Sequence, residues 1–232
     1  MIQPDRFHRI QSILRTRQPD LTVVMDRVNK VHNFSAILRS CDAVGILEAH
    51  AVPPRHGVRL SDETSAGAGK WVRVHRHPRG DAAVSQLKSE GFQIVAAHPD
   101  PASVPFRAID FLRPTAIVVG AELYGISEAS LALADVTTFI PMAGMVQSLN
   151  VSVAAALLLY EAQRQREAAG FYAPPGRIPA DRLERLTFEW AYPRLAHLLR
   201  GQALPYPPLG PDGEILDDLM ALRTADIAET AS

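Results

Sequence analysis

From Leu21 onward, short apolar runs rich in β-branched residues alternate with stretches of helical periodicity, and this alternation constrains the fold more than any other feature of the chain. The pattern predicts strands at Leu21 to Val28, Glu48 to Val52, Trp71 to Val74, Phe92 to Ala97, Ala116 to Val119 and Thr137 to Ile140. Helices are expected at Phe34 to Val44, Asp81 to Ser89, Glu128 to Ala134 and Leu149 to Ala169. Strand and helix in turn predict an α/β fold with a mostly parallel sheet and helices on both faces.

Helical extensions flank this core. Residues 1–20 read as a short helix capped by Asp5 and closed by Pro19, with Phe7, Ile10, Ile13 and Leu14 as its apolar stripe. Arg6, Arg9, Arg15 and Arg17 line the remainder. After Gly170 the stretch APPGRIP (Ala173 to Pro179) breaks the last long helix, and another helical piece is expected from Asp181 to about Arg200. The segment LPYPPLGPDGE should be irregular, and the acidic end beyond it mobile. The expected division is therefore 1–20, 21–170 and 171–232.

Charge and composition narrow the classes. The net charge of −1 excludes a generally basic coat. From Pro211 to Ser232, however, six acids (Asp212, Glu214, Asp217, Asp218, Asp226, Glu229) face the single base Arg223, leaving 23 bases against 19 acids in residues 1–210. Lys30, Lys70 and Lys88 are the only lysines, so arginine, whose planar fork matches phosphate oxygens, supplies nearly all the positive charge. One cysteine, Cys41, allows neither an intrachain disulfide nor a multi-cysteine zinc site. No leader-like or membrane-length apolar run occurs, and a cytoplasmic protein without membrane contact is expected.

Familiar cofactor motifs fail. SAGAGKWV lacks the spacing of a phosphate loop, since Thr64 stands where its first glycine belongs and Trp71 where the magnesium-binding hydroxyl belongs. No GxGxxG opens a helix after a strand, which removes support for a nucleotide-dependent oxidoreductase, and no GxSxG is present. His75 and His77 share one face of a strand, suiting either metal ligation or solvent exposure, and no metal site is expected there.

Three segments stand out. In Asn33 to Ile46 (NFSAILRSCDAVGI), Ile37, Cys41 and Val44 form an apolar stripe, leaving Arg39 and Asp42 on another face. Asn33 reads equally as a helix cap, and Arg39 with Asp42 as a surface ion pair worth about 0.2–0.5 kcal/mol. In Ile117 to Ser127 (IVVGAELYGIS) a buried strand runs into Gly120 and Glu122; the glycine suits close ligand approach or a tight turn. In Ile140 to Glu161 (IPMAGMVQSLNVSVAAALLLYE) a loop precedes a long helix begun by Ser148 or Asn150, which read as caps or as site residues.

In this order and at these separations, the three segments resemble the signature motifs of the SpoU/TrmH family of 2′-O-ribose methyltransferases in the SPOUT superfamily. The likeness extends to RTRQPDLTVVMDRVNKVHN, YEAQRQREAAG and LPYP…GEI, nearly the whole chain. It implies that residues 21–170 form a SPOUT methyltransferase domain with a deep C-terminal trefoil knot, that S-adenosyl-L-methionine is the cofactor, and that the chain forms a homodimer. It also implies 2′-O-methylation of the D-loop guanosine at tRNA position eighteen, with tRNA and not DNA as the nucleic-acid partner. By the resemblance, the catalytic positions are Asn33, Arg39, Glu122, Ser148 and Asn150. The cofactor contacts, largely backbone, fall near Ala97, Gly120, Ile140 and Leu149. Arg6, Arg9, Arg15, Arg17, Arg164 and Arg166 are candidates for gripping the RNA backbone. Alternatives are a sibling enzyme acting on ribosomal RNA or another tRNA position, and an RNA-binding protein without catalysis.

Overall fold

The computed structural model describes residues 2–53, 68–122 and 124–216. These form two compact units, Thr16–Arg177 and a smaller one built from Met1–Arg15 with Ile178–Ser232. The acidic residues Asp217, Asp218, Asp226 and Glu229 lie outside the described residues.

The smaller unit opens with α1 (Pro4–Arg15), whose Phe7, Ile10 and Leu14 are buried as the stripe predicts. Asp5 sits inside the first turn and does not cap it. The expected single helix after residue 180 is two, α6 (Ala180–Ala191) and α7 (Pro193–Gly201). Pro193 is the reason: it has no N–H to continue a ladder but suits the first turn of a new helix. Phe188 stacks on Tyr206 at 4.6 Å, and Tyr192 Oη donates to Gly213 O at 2.7 Å, tying the irregular 204–216 stretch to these helices.

The larger unit follows the order β1 (Leu21–Asp26), α2 (Val31–Ala43), β2 (Glu48–Val52), β3 (Arg73–Arg76), α3 (Gly80–Ser89), β4 (Gln93–Ala97), β5 (Val104–Pro105), β6 (Thr115–Gly120), α4 (Glu128–Leu131), β7 (Val136–Phe139) and α5 (Val151–Ala168). The seven strands make one parallel sheet, ordered β3-β2-β1-β6-β4-β7-β5. β1 is buried along its whole length, so consecutive side chains enter opposite cores. Val23 and Met25 join Ile117 and Val119 under α2 and α5, while Val24 joins Ala116 and Val118 under α3. Cys41 is in the first core, where burial pushes its thiol up to about 12 and makes it inert.

Two strands depart from expectation. β3 begins at Arg73 instead of Trp71, because pairing with β2 is set by Glu48 opposite Arg73. β5, two residues long, is too short to show any periodicity. The register places Asp26 opposite Gly120 and Ala97 opposite Thr138, so the carboxyl ends of β1, β6, β4 and β7 meet along one edge. In open α/β sheets ligands bind outside that edge.

Candidate active site

A cavity of about 650 Å³ opens beyond the carboxyl ends of β4, β6 and β7, within the ~300–1,000 Å³ range of small-molecule sites. Its wall includes Ala97, Gly120, Ile140 and Leu149, the four positions expected to contact a cofactor, together with Glu122 and Ser148. The lining is largely apolar, with Val119, Met142 and Leu158. Among the described residues no backbone–backbone hydrogen bond involves 140–149, so the peptide groups of that loop are available to a ligand. This arrangement fits a flat apolar heterocycle held by main-chain contacts.

Gly120 lines the cavity, and its backbone surroundings add the tight-turn requirement. A Cβ there would lie 2.1 Å from the Gly125 carbonyl carbon and 2.3 Å from Ile126 N. The turn closes on itself through Gly125 N to Ala121 O at 2.7 Å and Ala121 N to Gly125 O at 3.2 Å. The glycine is thus required by the fold-back that presents Glu122.

The three separated segments converge beside this cavity. Asn33 Nδ2 donates to Glu122 Oε1 at 2.9 Å, Asn150 Nδ2 donates to the same oxygen at 2.9 Å, and Asn150 Nδ2 also reaches Asn33 Oδ1 at 3.1 Å. Lys30 pairs with Glu122 Oε2. Hydrogen bonds from Lys30 and Asn33, aided by the Lys30 charge, hold the Glu122 carboxyl below its ordinary value. Asn150 caps α5, its Oδ1 accepting from Ser152 N at 2.9 Å. Asn33 is no cap: α2 starts at Val31, and Asn33, on its first turn, is buried and turned towards Glu122. Lys30 was not among the residues singled out by sequence. Its position three residues before Asn33, as one of three lysines, is the signal that could have found it.

Arg39 does not join this group. It is exposed on α2, does not line the cavity, and has no hydrogen-bond or ion-pair partner among the described residues. The expected pairing with Asp42 is also absent, because Asp42 Oδ1 receives Arg17 Nη2 at 2.5 Å.

The Arg17–Asp42 pair corrects the RNA-binding set. Arg17 is 2% exposed and also donates to Ile46 O at 2.9 Å, so it braces the start of β2 and is out of reach of RNA. Arg166 is 0% exposed, bonded to Asp20 Oδ1 at 2.6 Å and Phe111 O at 2.9 Å, and is likewise structural. Arg164 is exposed and paired with Glu161, while Arg6, Arg9 and Arg15 are exposed on α1.

The paired histidines have company that spacing did not reveal. His50 Nδ1 lies 2.8 Å from His77 Nε2, and His75 Nε2 lies 3.1 Å from Glu48 Oε2. Burial, then the neighbouring imidazoles, lowers His50 to about 4. Among the described residues no group of three or more His, Cys, Asp or Glu is arranged to hold a metal ion. No helix among them is long and apolar enough to cross a membrane.

Comparison with known proteins gives a concordant set of similarities. Residues 20–160 match the family described as SpoU rRNA Methylase, and residues 164–218 match the SpoU rRNA methylase C-terminal family. The chain is 50% identical over 218 residues to the tRNA (guanosine(18)-2'-O)-methyltransferase of Escherichia coli (strain K12), covering 94% of this chain and 95% of that relative. The crystal structure of the TrmH/SpoU tRNA modifying enzyme of A. aeolicus superposes with a TM-score of 0.75 at 41% identity, covering 82% of this chain and 96% of that one. The SpoU methyltransferase AviRb of Streptomyces viridochromogenes, in complex with the cofactor AdoMet, gives a TM-score of 0.58 at 28% identity over 66% of this chain and 64% of that one.

Proposed function

The chain belongs to the SpoU methylase family, and on that premise we infer that it transfers a methyl group from S-adenosylmethionine to the ribose 2′-hydroxyl of the guanosine at tRNA position eighteen. The observation that carries the reading is the convergence of Asn33, Glu122 and Asn150, from three distant segments, on a cavity walled by Ala97, Gly120, Ile140 and Leu149. Similarity over nearly the full length, with 95% of the Escherichia coli relative matched, favours the tRNA enzyme over a ribosomal sibling.

S-adenosylmethionine, when bound, supplies an electrophilic methyl group on a positively charged sulfur. Ile140 and Leu149 would hold it by their peptide groups, with Ala97 and Gly120 forming the opposite wall. Glu122 is committed to three donors and is a poor candidate for proton acceptor; it, Asn33, Asn150 and Ser148 shape and orient the site. Holding the hydroxyl in line with the methyl group removes an entropic barrier of several kcal/mol, roughly 7–11 at best. Arg39 stabilises the developing alkoxide while gripping the neighbouring phosphate, because a guanidinium keeps its proton and does not serve as a base. Arg6, Arg9, Arg15 and Arg164 remain the candidates for positioning the RNA backbone.

The working unit we propose is a homodimer. α5 exposes Val153, Leu157 and Tyr160 at helical spacing, a stripe that a second copy would cover, and α2, which carries Arg39, packs against α5. Arg39 then serves the partner's cavity. The knot implied by the family would run through the turns after β6 and β7 that line this site. We propose the cytoplasm as its place of work, where tRNA would be its substrate.

The test is a transfer assay with labelled S-adenosylmethionine on unmodified tRNA transcripts, followed by mass-spectrometric location of the product. Methylation of the position-eighteen guanosine is expected. Modification elsewhere would favour the sibling enzyme, and tight tRNA binding without transfer the non-catalytic alternative.

A further inference from the structure

We propose that Lys30 is a positioning residue for methyl transfer: its ammonium group grips the Glu122 carboxylate and thereby fixes the side-chain amides of Asn33 and Asn150 beside the cavity. The inference rests on the methyltransferase reading and extends it to a residue outside the three motif positions.

The geometry carries the proposal. Glu122 receives three N–H donors, Asn33 and Asn150 on Oε1 and Lys30 on Oε2. An ionised carboxylate accepts all three as charge-assisted bonds; protonation takes up a lone pair and removes the charge that strengthens each of them. Both amides are therefore held most firmly while Glu122 remains charged. The charged or titratable groups that face it among the described residues are Lys30 and His32, both from the amino end of α2. α5 presents only the neutral Asn150. Lys30 is thus the permanent cation of the set, and it is the first cause of the lowered Glu122 value.

The consequence reaches the cavity wall through Asn150. With Nδ2 held by Glu122, its Oδ1 is free to accept from Ser152 N at 2.9 Å and Ser152 Oγ at 2.6 Å, which sets the start of α5 and the end of the 140–149 loop. Lys30 has no competing duty in its own helix. It occupies the N-cap position of α2 in extended backbone, and its side chain makes no capping hydrogen bond. A substitution there leaves the α2 cap as it was.

The experiment compares full-length Lys30→Met, Lys30→Arg, Glu122→Gln and the Lys30→Met/Glu122→Gln double variant in methyl transfer to tRNA across pH, alongside a ¹³C-carboxyl titration of Glu122 in the wild type and Lys30→Met. We expect Lys30→Met to lower kcat by roughly tenfold or more, the cost of one charge-assisted hydrogen bond, with little change in KM for tRNA. The acid limb of its pH–rate profile and the Glu122 titration should both move to higher pH, Lys30→Arg should recover most of the rate, and the double variant should be no slower than Glu122→Gln alone. An unmoved Glu122 titration, losses that multiply in the double variant, or a rise in KM alone would overturn the proposal and assign Lys30 to RNA contact or to nothing. If the wild type methylates no tRNA, the functional reading falls by itself, and the titration still decides whether Lys30 governs Glu122.

Discussion

Arg39 is exposed on α2 without a side-chain partner among the described residues, which leaves its guanidinium available to the RNA in the proposed reaction. If charge near the alkoxide is its contribution, Arg39→Lys should keep some methyl transfer where Arg39→Ala keeps almost none. A lysine variant as inactive as alanine, with RNA and cofactor binding intact, would require the planar fork itself. His50 makes the opposite case, a titratable group held neutral by burial. Its folded value is depressed to about 4 from an ordinary 6.5, so between those values the unfolded chain binds the extra proton. Stability is therefore full above about pH 6.5 and declines as pH falls towards 4, by up to about 3 kcal/mol from this residue. His77 shifts in the same direction. Urea denaturation at pH 7 and pH 5 should show the decline, and His50→Phe should flatten it.

The helices explain how much of this was legible beforehand. α3 and α5 declare themselves through apolar periodicity, and β2 lies at its expected bounds, Glu48 to Val52. Pairing partners were not legible: Asn33 reads locally as a cap, and only the arrival of Glu122, 89 residues later, gives its amide another use. Arg17 and Arg166 misled for the same reason, since a sequence does not reveal that an arginine lies over carbonyls of the core. Arg166→Met should accordingly cost stability, about 3–5 kcal/mol, because Asp20 would keep only part of its compensation, and tRNA affinity should change only as folding does. α1 gives the contrasting result. Replacing Arg6, Arg9 and Arg15 together by Gln should weaken tRNA binding without unfolding the helix. It should also flatten the salt dependence, the slope falling by about one for each phosphate that is no longer neutralised.

At the scale of the whole molecule, the exposed α5 stripe and the solitary Arg39 make one prediction together. Arg39→Ala and Glu122→Gln subunits, each keeping only a small residual activity alone, should recover about a quarter of wild-type activity when mixed and allowed to exchange, since one complete site forms in each mixed dimer of the proposed assembly. No recovery, with exchange verified, would return Arg39 to its own subunit. The polar cluster itself has a further bearing, on how the protein is born. Asn150 follows Asn33 by 117 residues, and at roughly 5–20 residues per second a ribosome needs roughly 6–23 seconds to deliver the second after the first. For the first 89 residues of that interval the nascent chain holds an amide destined for burial without its Glu122 acceptor, and the three-way cluster closes only when Asn150 follows.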